Sequence, residues 1–435
     1  MRAMSHIDFY FDFSCPYAYI GATQIEAIAE RYGATLSWKP MLLGGVFRGT
    51  GLENSPMDTL SGSKTRHNVQ DMARWAEHFG QELNVPNNHP MRTVRALRAL
   101  LATPHETWPA SIHSLYRAYW IRNEDITQPE AIGAALREAG LDEGTVATAL
   151  AANDEQAIKD ELRSRTDEAV SRGVFGAPTM FVRDDDTADA DAIMLWGQDR
   201  LHMVEAALKG WRPGSGTVEA SPTPEQPVDQ PLELEFWYDF SSPFAYLGST
   251  QVERIAAEAN AKLTWRPMLL GAVFKQIGQH NVPLMAMSEA KRAYMGLELG
   301  YWSSYWQVPF KFSTKFPMKT VTALRLAFLA GDKIGPVSHS LFKALWVDDG
   351  DLNDVDQLSK ILTEHGLDPE EMLAATQDPA TKKLLIDSTS EAVEIGIFGA
   401  PTCIVKGNAE PMLFWGQDRL AMVGNTLRGW QPTCG

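Results

Sequence analysis

From Ile7, the stretch IDFYFDFSCPYAYIGATQIEAIAERYGATLSWKPMLLGGVF aligns without a gap with LEFWYDFSSPFAYLGSTQVERIAAEANAKLTWRPMLLGAVF from Leu234, with about half of the positions identical. The correspondence runs on through HPMRTVRALR and FPMKTVTALR, IHSLYRAYW and SHSLFKALW, GVFGAPTMFV and GIFGAPTCIV, and LWGQDRLHMV and FWGQDRLAMV. A repeat of this length is a duplicated domain, not a short solenoid unit, so the chain must build one architecture twice. The 435 residues accommodate two such cores. Residues 213–231 are rich in proline, glycine and small polar residues, the composition of an extended linker. The expected organisation is copy one over 5–212, a linker over 213–231, and copy two over 232–432.

Within copy one, Ile7 to Phe13 reads as a buried strand and Pro16 opens an amphipathic helix to about Tyr32. Thr35 to Lys39 alternates as a second strand. The middle, roughly Pro56 to Arg172, carries helical periodicity and is expected to be an all-helical insertion. Thr179 to Val182 and Ile193 to Trp196 follow as short strands, and Gln198 to Lys209 as a closing helix. This order implies an α/β fold: a mixed sheet with helices on both faces, formed twice.

Three motifs carry the chemistry. The first is the strand-to-helix junction D-F-S-C-P-Y in copy one and D-F-S-S-P-F in copy two. Proline suits the first helical position, which puts Cys15 and Ser242 at the N-cap. There the free backbone N–H groups and the helix dipole favour a thiolate. Serine is a good cap in its own right; cysteine is not, so Cys15 is the residue expected to be reactive. The second motif, G-x-F-G-A-P-T, places Ala177-Pro178 and Ala400-Pro401 just before a strand. The third, W-G-Q-D-R, sits between the last strand and the last helix and includes Trp196, Gly197, Gln198 and Asp199, with Trp415, Gly416, Gln417 and Asp418 in copy two. A carboxylate in a first helical turn is stabilised by the dipole whatever the function.

Together, in this order and over nearly the whole of each copy, the motifs resemble the family of 2-hydroxychromene-2-carboxylate isomerases and kappa-class glutathione transferases. That resemblance implies a thioredoxin-like fold with a helical insertion, cis prolines at Pro178 and Pro401, and glutathione as the cofactor. It implies that Ser242, and Cys15 in the matching place, contact the glutathione sulfur, and that Ala177 and Ala400 pair with the cysteinyl backbone. The segments Trp196 to Asp199 and Trp415 to Asp418 would hold the γ-glutamyl end, with Asp199 and Asp418 facing its ammonium. Asn54 and Asn281 occupy the loop where the family places a ligand-binding asparagine, and a turn asparagine explains them equally well. Family members of the isomerase type add the glutathione thiolate to an unsaturated substrate, permit bond rotation and expel it again. The implied function is therefore a glutathione-dependent isomerase or transferase acting on a small hydrophobic, aromatic or unsaturated substrate.

Two departures bear on this. Copy one has Cys15 where the family has serine, and both copies carry a basic residue, Arg92 or Lys319, where the family is associated with asparagine. A monothiol thiol-disulfide oxidoreductase using Cys15 is the first alternative, although Ala18 and Ala245 stand where a C-x-x-C motif would have its second cysteine. A non-catalytic glutathione-binding scaffold is the second. Lys64 and Lys291 correspond and are expected to be solvated; His113, His339, Trp120 and Trp346 are expected to pack the insertion.

Composition narrows the partners. A formal net charge of −16 sets the summed field against phosphate backbones and anionic lipid. Three scattered cysteines give neither a disulfide framework nor a zinc pattern. With no basic-then-apolar leader and no long apolar run, the expectation is a cytoplasmic protein with neither nucleic-acid nor membrane partners. The two copies are expected to pack as a covalent pseudo-dimer.

Overall fold

The computed structural model describes residues 4–51, 61–214, 232–279, 284, 287–408 and 410–432. Copy one begins with strand β1 (Ser5–Phe11), helix α1 (Pro16–Tyr32), strand β2 (Thr35–Pro40) and helix α2 (Leu43–Gly49). Six helices follow: α3 (Gly62–His78), α4 (Val94–Leu101), α5 (Trp108–Trp120), α6 (Pro129–Glu138), α7 (Glu143–Ala151) and α8 (Gln156–Ser171). The copy closes with β3 (Thr179–Asp184), β4 (Ile193–Trp196) and α9 (Leu201–Leu208).

Copy two repeats the series as β5 (Glu233–Tyr238), α10 (Pro243–Glu258), β6 (Lys262–Pro267) and α11 (Leu270–Gln276). Its insertion comprises α12 (Glu289–Trp306), α13 (Val321–Leu329), α14 (Ile334–Trp346), α15 (Val355–Glu364), α16 (Pro369–Ala375) and α17 (Pro379–Glu394). It ends with β7 (Thr402–Lys406), β8 (Met412–Trp415) and α18 (Leu420–Leu427).

The sheets have the orders β2-β1-β3-β4 and β6-β5-β7-β8. In each, the first pair is parallel and the other two antiparallel. Successive side chains of β1 point to opposite faces of the sheet, and both faces are covered. Phe9 and Phe11 meet Trp38 edge-on, and Phe9 lies under Gly21 of α1. On the opposite face, Tyr10 donates to Glu168 of α8 and Arg172 donates to Asp8. A Cβ at Gly21 would stand 3.3 Å from the Phe9 ring, so the bare backbone there brings α1 close to the sheet.

The paired histidines and tryptophans of the insertion are packing residues. His113 bonds Glu26 at 2.7 Å and His339 approaches Glu253 at 3.2 Å. The Trp120 and Trp346 indoles donate to the Phe13 and Phe240 carbonyls, both at 2.8 Å. Among the described residues, no helix is long and apolar enough to cross a membrane.

Candidate active site

The helix starts are near-duplicates: Cys15 has φ −96° and ψ 113°, Ser242 φ −96° and ψ 114°. The Ser242 hydroxyl accepts the Ala245 N–H at 3.1 Å, capping its helix, and donates to the Ala400 carbonyl at 2.9 Å. The Cys15 thiol donates to the Ala177 carbonyl at 3.0 Å and makes no cap hydrogen bond. Both Ala177-Pro178 and Ala400-Pro401 are cis, and so are His89-Pro90 and Phe316-Pro317. Each helix start thus lies directly against its cis-proline step, though both side chains are buried.

That burial corrects one expectation. Backbone N–H groups of Ala18 and Tyr17 favour a Cys15 thiolate, but burial outweighs them and pushes the thiol up to about 12. At neutral pH, Cys15 is a protonated donor, not a resting thiolate. Cys403 is likewise buried, and its thiol is pushed up by the same cause.

A residue overlooked in the motif fixes each helix start. Asp12, at the end of the first strand, accepts from Thr93 at 2.6 Å, from the Ser14 N–H at 3.0 Å and from the Leu43 N–H at 2.7 Å. Asp239 does the same with Thr320, Ser241 and Leu270. Burial raises both carboxyls, and these bonds oppose it. One buried acid in each copy thereby ties strand, helix start, second helix and insertion together; its signal was the aspartate opening both D-F-S motifs.

The W-G-Q-D-R segments are where the copies meet. Gly197 and Gly416 hold φ near 103° and 102°, a conformation suited to glycine, and a Cβ at either would strike the following aspartate at 2.3 Å. This folds Asp199 and Asp418 back towards the arginines of the opposite copy. Arg419 reaches Asp199 at 2.6 Å, and Arg200 reaches Asp418 at 3.0 Å. Each arginine also contacts its own neighbour, closing an alternating ring of four charges.

Helices α3 and α12 complete the ring from the other side. Asp71 takes the Arg419 guanidinium through both oxygens, at 2.7 and 2.8 Å. Glu298 takes Arg200 in the same place. Burial pushes Asp418 up, but Arg419 and Arg200 outweigh it and hold it below the ordinary value; for Glu298 burial prevails and the carboxyl is raised.

The same helices cover the tryptophans. The Trp415 N–H donates to His67 at 3.3 Å, and the Trp196 N–H to the Tyr294 hydroxyl at 3.0 Å. Lys64 stands 4.9 Å from the Trp415 ring centre and Lys291 5.0 Å from that of Trp196, within cation–π range. The two lysines are therefore not solvated surface residues. Burial and its partner Lys291 bring Lys64 down to about 8, and burial lowers Lys291 as well.

One continuous cavity of about 2620 Å³ joins both helix starts, both cis-proline steps and both W-G-Q-D segments, with Arg92 and Lys319 on its wall. Asn54 and Asn281 lie outside the described residues, as does Cys434. Helices α3 and α12 are what the motif reading missed. Their signal was a helical stripe of polar residues, 64-67-71-74 and 291-294-298-301, matched between copies on faces that should otherwise be solvated.

The model of the DSBA-like thioredoxin domain matches residues 6–209 and again 233–428. The chain belongs to that family. A 2-hydroxychromene-2-carboxylate isomerase of Pseudomonas putida is 29% identical over 204 residues, spanning 46% of this chain and 93% of that protein. Glutathione S-transferase kappa 1 of Rattus norvegicus is 26% identical over 211 residues, 46% of this chain and 90% of the relative. These relatives are enzymes of the length of one DSBA-like copy. Among solved structures, a 2-hydroxychromene-2-carboxylate isomerase is 27% identical, with TM-score 0.40, covering 47% of this chain and 94% of that one.

Proposed function

We propose that the chain is a glutathione-dependent isomerase or transferase for a small hydrophobic, aromatic or unsaturated substrate, with Ser242 as its principal catalytic donor. The observation carrying this reading is the Ser242 hydroxyl, set between a helix-start N–H and the carbonyl before a cis proline, on the wall of a large cavity. Three residues of the cavity lining, Trp196, Gln198 and His67, carry buried side-chain N–H groups with no hydrogen-bond partner among the described residues, which an acceptor-rich peptide would suit.

When bound, glutathione supplies a sulfur nucleophile. Ser242 would turn its hydroxyl from Ala400 towards that sulfur and stabilise the anion without itself becoming a nucleophile. Ala177 and Ala400 would hold the peptide backbone, and the W-G-Q-D segments its γ-glutamyl end. Asp199 and Asp418 already pair with arginines, so each would share its charge between an arginine and a ligand ammonium. The same reading assigns Cys15 the role of a neutral thiol donor. A monothiol exchange reaction needs a thiolate that burial disfavours here.

The test is binding followed by activity. Glutathione at about 100 times its Kd should stabilise the full chain by about 2.7 kcal/mol, read as a rise in Tm. Ser242→Ala should then lower turnover of an unsaturated aromatic substrate roughly 100-fold. A Tm indifferent to glutathione would leave the scaffold and transferase readings equally without support.

A further inference from the structure

The two sites are not equivalent, and the difference comes from the helix that each copy lends to the other. At the second-copy site, the neighbour of the Trp415 backbone is His67, an imidazole on α3 of the first copy. At the first-copy site the corresponding residue is Tyr294, whose phenol is buried between Phe175 and Trp196.

One hydrogen bond assigns the His67 tautomer. Its Nε2 accepts the Trp415 N–H, so a neutral ring carries its proton on Nδ1. Burial keeps the ring neutral, bringing its pKa down to about 4. Nδ1 has no partner among the described residues, while the residue is 5% exposed and forms part of the cavity wall. A buried N–H without an acceptor costs free energy unless something in the cavity meets it. One turn back on the same helix, Lys64 brings an ammonium group over the same Trp415 ring. Both residues stand beside Trp415 and line the cavity, and an imidazole N–H and a cation one turn apart on a helix together suit one chemical group, a carboxylate.

We infer that His67 of the first copy is a ligand-binding residue of the second-copy site, donating Nδ1–H to a carboxylate oxygen of the ligand held beside Trp415. The inference rests on the glutathione reading above and adds to it a donor supplied across the copies, absent in kind from the Cys15 site. It makes the Ser242 site the more selective of the two for an anionic peptide ligand.

Calorimetry of the full chain with glutathione tests it. His67→Phe should weaken, about tenfold, the binding event that Ser242→Ala also shifts, and leave any event at the Cys15 site unchanged. In the unaltered protein, the His67 Nδ1 resonance should move on glutathione addition while the tautomer stays fixed. That measurement decides the matter even where the variant fails to fold. Binding unaltered by His67→Phe together with a stationary Nδ1 signal would overturn the assignment and leave the glutathione reading standing. No binding to the unaltered chain would overturn both.

Discussion

At position 15, two opposing effects act on one sulfur. The helix N-terminus offers N–H groups to a thiolate, yet the side chain is only 7% exposed, and desolvation wins. In unliganded protein at pH 8, iodoacetamide should therefore alkylate Cys15 far more slowly than it does in the urea-unfolded chain, as peptide mass spectrometry would show. Because Cys15 and Ser242 share their backbone angles, Cys15→Ser should gain the cap to Ala18 that Ser242 makes to Ala245. Urea unfolding should show unchanged stability or a gain of about 1 kcal/mol. His67 offers a pH prediction with a defined sign. Its folded pKa, about 4, lies below the unfolded value, so below about 6.5 the unfolded chain takes up a proton that the folded chain refuses. Asp71 and Asp418 draw a proton to the ring, while Arg419 and Arg74 resist it, and burial decides the outcome. This contribution to stability is intact at pH 7 and declines as pH falls from 6.5 towards 4, by on the order of 3 kcal/mol. His67→Phe should flatten that limb of the stability–pH curve.

Among the elements, α3 and α12 separate what the sequence made legible from what it did not. Helix α1 runs from Pro16 to Tyr32 as read, because a proline start and a spaced apolar stripe are local signals. Strands β3 and β4 likewise begin at Thr179 and Ile193, as their composition implies. The stripe of α3 is just as regular, but its buried members include His67, Asp71 and Arg74, and periodicity alone does not say what covers such a face. The cover is the W-G-Q-D-R segment of the other copy, more than 300 residues away along the chain, and no local rule reaches that distance. The same distance hides the places of Lys64 and Lys291: a lysine on a helix has its tryptophan neighbour only once the copies are docked. The exchange gives Asp71 a testable weight. Asp71→Asn keeps the size of the side chain but removes the charge that Arg419 meets through two bonds. Arg419 retains Asp199 and Asp418, so the loss should be about 2 kcal/mol, less than for an isolated buried pair. Urea titration of the variant measures it, and a loss near zero would mean the two remaining acids suffice.

For the molecule as a whole, the reciprocal exchange of helices makes the two copies one structural unit. Each site draws its helix start and cis-proline step from one copy, and its lysine and the residue at the tryptophan N–H from the other. The Arg200–Asp418 and Arg419–Asp199 pairs then cross between the copies in opposite directions, which is the arrangement a two-fold interface would produce. A separated copy would expose this buried charge, leaving Arg200 without Glu298 and Arg419 without Asp71. Separation would also uncover Trp196 and Trp415. Water would rehydrate the charges, but the aromatic faces and the interlocked helices would be left without partners. The two halves, produced separately as 1–214 and 215–435 and then mixed, should therefore reassociate one to one, and sedimentation velocity should show a single species of about the mass of the intact chain. The covalent connection acts by raising the effective concentration of one half around the other. Raising salt should weaken the mixed halves more than the joined chain, since charge attraction assists their encounter. Halves that sediment independently at micromolar concentration would show that the crossed ion pairs contribute too little to hold the sites together, and that the connecting segment does so instead.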